Sequence, residues 1–355
     1  MSQLRIKAGK RAYKIIKDGG FNFDSISAYF GPAVGPRWLV TSGFDLTLIN
    51  GNILGRKRLV HLIGSSAGAW RFAAWLQPAA PLSYRKLIDA YINVKFTKAD
   101  TPATVLGKLK KIINSYVEDD ALHFALANKK YRLSVITART RHLVASEKTW
   151  LQKTGLAACF LLNFFSRNNI YRFADRVVFY QGSKPPPFCF RPRFRGSLVR
   201  INEINFKHAV MASGAVPLVV AGVHDIYDAP YGVYRDGGLI DYHLTHQFAA
   251  GENDMVLFFH HDERIIPGWL DKKLVRRAPD ADTLSNVLMI FPSPGFVEKL
   301  PGKKIPDRTD FLTYIDDHET RVKNWRQTVE LSAPLGEEFL ELVASGKIRD
   351  IVERL

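Results

Sequence analysis

The stretch VHLIGSSAGAWRF, Val60 to Phe72, confines this chain more than any other. The run LVHLI reads as a buried strand, and AWRFAAW reads as a helix. Between them stand only small residues, Gly64-Ser65-Ser66-Ala67-Gly68. A strand that passes straight into a helix through such a turn is a unit of α/β architecture. The turn also suits a nucleophile. A serine at its centre projects its hydroxyl above the end of the sheet, and the next N–H points at the same spot. The helix N-terminus adds a positive dipole end where an oxyanion would form. The plainer reading is a Gly-rich bend with no chemistry, since a five-residue pattern also arises by chance.

The rest of the chain alternates in the same way. Strands are predicted at Ile26–Gly31, Arg58–Gly64, Tyr131–Arg139, Gly232–Asp241 and Asp254–His261. Helices are predicted after the serine turn, through much of Tyr84–Asn128, over Thr149–Ser166 and Ile204–Pro217, and from Phe311 onward. Gln3–Lys17 fits a basic amphipathic helix that ends at Gly19-Gly20. The pattern predicts an α/β fold with a largely parallel sheet covered on both faces. No internal repeat or linker stands out. The expected organisation is a basic N-terminal helix over 1–25, a catalytic domain over 26–293, and a helical extension over 294–355 packed on it.

Charge and cysteine content narrow the function classes. The net charge of +16 favours an anionic partner: nucleic acid, a phospholipid surface, or solubility by self-repulsion. No nucleic-acid module or interleaved base-stacking aromatics accompany it, so nucleic acid is not expected. Two cysteines, Cys159 and Cys189, make no disulfide framework and show no metal-ligand spacing. The N-terminus lacks the apolar core of a secretory leader. The longest apolar run, Gly155–Phe165, is too short to span a bilayer. A cytoplasmic protein with peripheral membrane contact is expected. The Gly155–Phe165 run reads either as a wall or lid of an acyl pocket or as an ordinary core helix.

A nucleophilic serine needs a base. A Ser–His–Asp triad would draw on His243, His246, His260, His261 or His318, none of which stands in a distinctive loop. The segment YRDGGLID offers Asp236 instead, backed by Gly237 and Gly238, which let a strand-end carboxylate lie against a neighbouring loop. An ordinary Asp-Gly turn is the alternative.

Gly64-Ser65-Ser66-Ala67-Gly68, then MASGAVPLVV from Met211, then YRDGGLID together resemble the successive signatures of patatin-like phospholipases. The resemblance covers roughly Ile26 to His261. It implies a three-layer α/β/α sandwich and a Ser–Asp dyad, with Ser66 as nucleophile and Asp236 as base. It implies a lipid or ester substrate and neither metal nor organic cofactor. The family's glycine-rich oxyanion loop corresponds to GPAVGPRW, where Gly35 and Arg37 match and Ala33, Val34 and Trp38 depart. Pro32 and Pro36 have no N–H. The expected donors are therefore among Ala33, Val34, Gly35 and Arg37, with the Ala67 N–H.

Overall fold

The structure, a computed structural model, describes residues 2–355. Its described strands form one sheet: β1 (Leu4–Ala8), β2 (Ile26–Gly31), β3 (Val60–Ser65), β4 (Tyr131–Thr140), β5 (Ala174–Tyr180), β6 (Ser197–Arg200), β7 (Val223–His224), β8 (Val233–Asp236), β9 (Met255–Phe259), β10 (Val287–Pro292) and β11 (Glu353–Arg354). Their order is β11-β1-β10-β9-β2-β3-β4-β5-β6, with β8 paired to β4 and β7 to β8. The centre, β10-β9-β2-β3-β4, is parallel throughout. Antiparallel pairs occur at β1-β10, β4-β5, β4-β8 and β7-β8.

Parallel strands must be buried on both faces, which is why their sequences are continuous apolar runs rather than alternations. In β9, Met255, Leu257 and Phe259 enter the larger core while Val256 and Phe258 enter the opposite one. Helices Ser42–Asn50, Ala67–Trp75, Ala80–Asn93 and His318–Ala344 supply the larger core. The other face is covered by helix Thr149–Phe165 and by irregular segments carrying Phe188, Leu244, Phe248 and Ile265. The fold is thus α/β, with a mostly parallel sheet between two outer layers.

The expected N-terminal helix is corrected. Leu4, Ile6 and Ala8 point inward as β1, and the helix starts only at Lys10. Residues 4–8 satisfy period two as well as a helical period. The edge of β10 decides between them, because it pairs with β1 residue by residue. Within that segment Leu4–Ala8 joins the sheet, and helix Lys10–Gly19 follows it. At the other end, helix His318–Ala344 packs on Ser42–Asn50, where the Gly43 N–H donates to Ser332 Oγ at 3.1 Å. Burying Leu335 and Phe339 there contributes about 1.5–3 kcal/mol each. Besides β1, the strands β5, β6, β7, β10 and β11 lie outside the expected set. Among the described residues, no helix is long and apolar enough to cross a membrane.

Candidate active site

Strand β4 is the ruler on which the site is built. One of its edges is taken by β5. The other is shared: β3 pairs along it up to Ser65 opposite Ile136, and β8 continues it with Asp236 opposite Thr137. The C-terminal ends of β3 and β8 therefore meet head to head at consecutive residues of one strand. Ser66 and Asp236 come together there.

Ser66 has φ 54° and ψ −122°, a conformation that costs a non-glycine residue about 1–3 kcal/mol. Its surroundings hold it in place. The Ser66 N–H donates to Ser213 Oγ at 2.8 Å, and Ser213 Oγ donates to the Ile136 carbonyl at 2.7 Å. Close approach explains the small neighbours. A β-carbon on Gly68 would lie 1.9 Å from the Gly31 carbonyl oxygen, and one on Gly64 would lie 2.4 Å from the Ala69 nitrogen. Ser65, by contrast, is sealed in the interior, with no partner for its hydroxyl among the described residues.

The Ser66 hydroxyl donates to Asp236 Oδ2 at 2.7 Å. The other carboxylate oxygen accepts the Gly238 N–H at 2.7 Å, which fixes the rotation of the group. Gly237 and Gly238 are needed as spacers: β-carbons there would meet the Ile136 carbonyl at 2.1 Å and the Ala33 side chain at 2.7 Å. Burial raises the Asp236 pKa above the ordinary aspartate value. Arg308, the Ser66 hydroxyl, the Gly238 N–H and Lys272 oppose the rise, in that order.

The expected oxyanion donors need correction. The Ala33 N–H is already given to the Tyr242 carbonyl at 2.9 Å, and the Val34 N–H to the Pro32 carbonyl at 3.1 Å. Gly35 and Ala67 each open a helical segment, Gly35–Thr41 and Ala67–Trp75. First-position N–H groups have no acceptor within their own helix. Both residues border the cavity beside Ser66, which leaves them as candidate donors. Gly35 has φ 57°, which glycine adopts without penalty. Arg37 directs its guanidinium to Asp307 at 3.7 Å.

The histidines stand elsewhere. His243 and His260 face each other through their Nε2 atoms at 3.2 Å, and His243 Nδ1 accepts the Ile266 N–H. Burial pushes His260 down to about 4 and His246 down to about 3. His318 meets the Asn93 carbonyl. The partner of the Ser66 hydroxyl is a carboxylate, not an imidazole.

A cavity of about 470 Å³ opens from Ser66. Its wall is apolar and aromatic, including Trp38, Trp70, Tyr91, Val105, Leu109 and Ile112. That volume falls within the 300–1,000 Å³ range of small-molecule sites. Of the two readings of Gly155–Phe165, cavity wall or core helix, the second holds. Leu156 and Cys159 on its inner face pack against Ala138, Val144 and Ile170, so the helix belongs to the core on the other side of the sheet. Its outer face leaves Trp150, Leu161, Phe164 and Phe165 exposed, the last at 79%.

No known family model matches this chain. No curated protein matches it either. Residues beyond the motifs also shape the site. Ser213 lies inside the MASGAVP segment, but its contact with the Ser66 N–H depends on how helix Phe206–Ser213 lies against β4. Arg308 and Lys272 carry no local signal at all, being two among 50 Lys and Arg.

Proposed function

We propose that the protein is a serine hydrolase of carboxylic esters, a lipid acyl hydrolase of the patatin-like type. One observation carries the reading: a strained serine donates to a buried carboxylate at 2.7 Å, at the mouth of an apolar cavity. A serine hydroxyl is a weak nucleophile unless a neighbouring base shares its proton.

In this reading Asp236 Oδ2 takes the proton as Ser66 Oγ attacks the ester carbonyl carbon. The Gly35 and Ala67 N–H groups hold the developing oxyanion. Asp236 returns the proton to the leaving alcohol, and the acyl group stays on Ser66. Water then attacks the acyl-enzyme, gives its proton to Asp236, and releases the carboxylic acid as Ser66 regains its proton. Each oxyanion donor contributes on the order of 10²–10³ in turnover. The residues need no metal or organic cofactor for these steps.

The apolar cavity supports a fatty acyl group as the acid portion. Val219 and Leu312 are exposed residues that also line this cavity, so its rim is apolar. The exposed aromatic face of helix Thr149–Phe165 and the net charge of +16 support contact with an anionic membrane surface. The test is incubation with a mixed lipid extract, with released products identified by mass spectrometry and Ser66→Ala as control. Free fatty acid produced by the parent protein alone supports the proposal. Lipid that is bound but returned intact favours a non-catalytic lipid-binding protein.

A further inference from the structure

Outside the Ser66–Asp236 pair, one charge stands where the reaction must pass. Arg308 comes from the segment between Pro301–Lys303 and helix Asp310–Thr313. Its Nη2 lies 3.9 Å from Asp236 Oδ2, the oxygen that accepts the Ser66 hydroxyl. Its Nε sits 2.9 Å from where a β-carbon on Gly35 would be, so the guanidinium rests against the bare α-carbon of that residue. Arg308 borders both the apolar cavity and a small recess formed with Asp236, Gly238, Tyr242 and Trp269. Among the described residues, Asp236 is the one carboxylate within 4.0 Å of it.

Other ionisable groups surround the pair. Tyr91 and Tyr242 face it as neutral phenols, both raised chiefly by burial. Lys272 is held 4.5 Å above the Tyr242 ring, and burial, with Arg308 and Arg37, pushes it down to about 8. Arg37 is turned to Asp307. His243, His260 and His261 form a buried group beside Tyr242, and burial lowers all three. Arg308 is therefore the permanent cation closest to the base.

We propose that Arg308 is a positioning residue of the dyad: it sustains the ionised, proton-accepting form of Asp236 in a buried setting. This rests on the dyad reading above. Burial drives Asp236 toward its neutral form, and Arg308 is the largest influence against that. The same charge also favours the next transfer. Once Asp236 holds the Ser66 proton, the guanidinium faces a neutral acid and favours release of that proton to the leaving alcohol, which restores the ion pair.

The experiment measures the rate of covalent labelling of Ser66 by a small neutral fluorophosphonate across pH, for the parent, Arg308→Gln, Arg308→Met and Arg308→Lys. Labelling reads the basicity of the dyad without lipid binding. An adjacent arginine lowers an aspartate by about 1–3 pH units, and the Arg308 side chain is 34% exposed, so the low end applies. The acid limb should move up by about one pH unit in the two neutral variants and largely return with lysine. Arg308 sits on a loop, so the variants should fold, and two neutral replacements guard against loss of either one. An unmoved acid limb in a folded neutral variant overturns the proposal, as does a change confined to KM for an ester substrate. If the label is not on Ser66, or Asp236→Asn labels at the parent rate, the dyad reading itself fails instead.

Discussion

Ser213 holds Ser66 by its backbone: the Ser66 N–H donates to the Ser213 hydroxyl at 2.8 Å, and that hydroxyl donates onward to Ile136 at 2.7 Å. A strained residue keeps its conformation only when its surroundings over-determine it. Ser213→Ala leaves a buried N–H without its acceptor and should cost about 1–3 kcal/mol of stability. Denaturant unfolding measures that loss. Labelling of Ser66 should slow about tenfold, the equivalent of about 1.4 kcal/mol. A variant as stable and as reactive as the parent contradicts this role.

Ser66→Ala should abolish ester hydrolysis and fluorophosphonate labelling, while Ser65→Ala should keep both. Ser65 is fully buried and does not line the cavity, whereas Ser66 does. Peptide mapping of the adduct decides between them. Label on Ser65 would remove the assignment.

Asp236→Asn should lose turnover and gain thermal stability at pH 7. Burial raises the folded pKa of Asp236 above its unfolded value. The native state therefore binds this proton more tightly than the unfolded chain. The resulting stability is fully present below the unfolded value and is lost as pH rises through the folded one. At pH 7 the ionised Asp236 is a burden on folding that asparagine lacks. Melting curves should show the variant above the parent at pH 7, with the gap closing as pH falls. A variant that melts lower at pH 7 would mean that the Arg308 contact outweighs burial.

Val105 and Leu109 line the cavity on one face of helix Pro102–Tyr116. Val105→Trp should shorten the space for an acyl chain. If three methylenes are excluded at about 0.8 kcal/mol each, long-chain esters should lose roughly 50-fold in kcat/KM. Acetate esters should change little. A uniform loss across chain lengths would show that the acyl group lies elsewhere.

Binding to anionic vesicles should weaken as salt rises, since attraction between surface charges is screened within about 8–10 Å near physiological ionic strength. The double substitution Phe164→Glu, Phe165→Glu should reduce binding further without moving the melting temperature, because both rings are exposed. Sedimentation with vesicles reads both effects. Equal binding to neutral and anionic vesicles at all salt concentrations would exclude a charge contribution.

The parts of the site legible in the sequence are those whose chemistry leaves a local trace. Ser66 and Asp236 need small residues beside them, and Gly64, Gly68, Gly237 and Gly238 are those residues. Gly35 and Ala67 were among the expected oxyanion donors, but the loss of Ala33 from that set was not legible, because the Tyr242 carbonyl that occupies its N–H belongs to a distant segment. Arg308 was hidden for the same reason: only the folded chain brings it to Asp236. In the fold, β9 showed itself as an unbroken apolar run. Residues 4–8 suited two periods, and the choice lay with β10 rather than with the residues themselves. Strand β10, VLMIFP, carried a readable apolar run between Asn286 and Ser293.

The shared edge of β4 means that the dyad has no local existence. Ser65 and Asp236 are aligned only while β3 and β8 are both zipped to the same strand, and a one-residue slip of either would turn its side chains to the opposite face. Fraying at a sheet edge would leave the pair intact, whereas opening of β4 would dissolve it at once. Reactivity at Ser66 thus reports whether β3, β4 and β8 are still held together, and its loss in denaturant should coincide with exchange of the β4 amides.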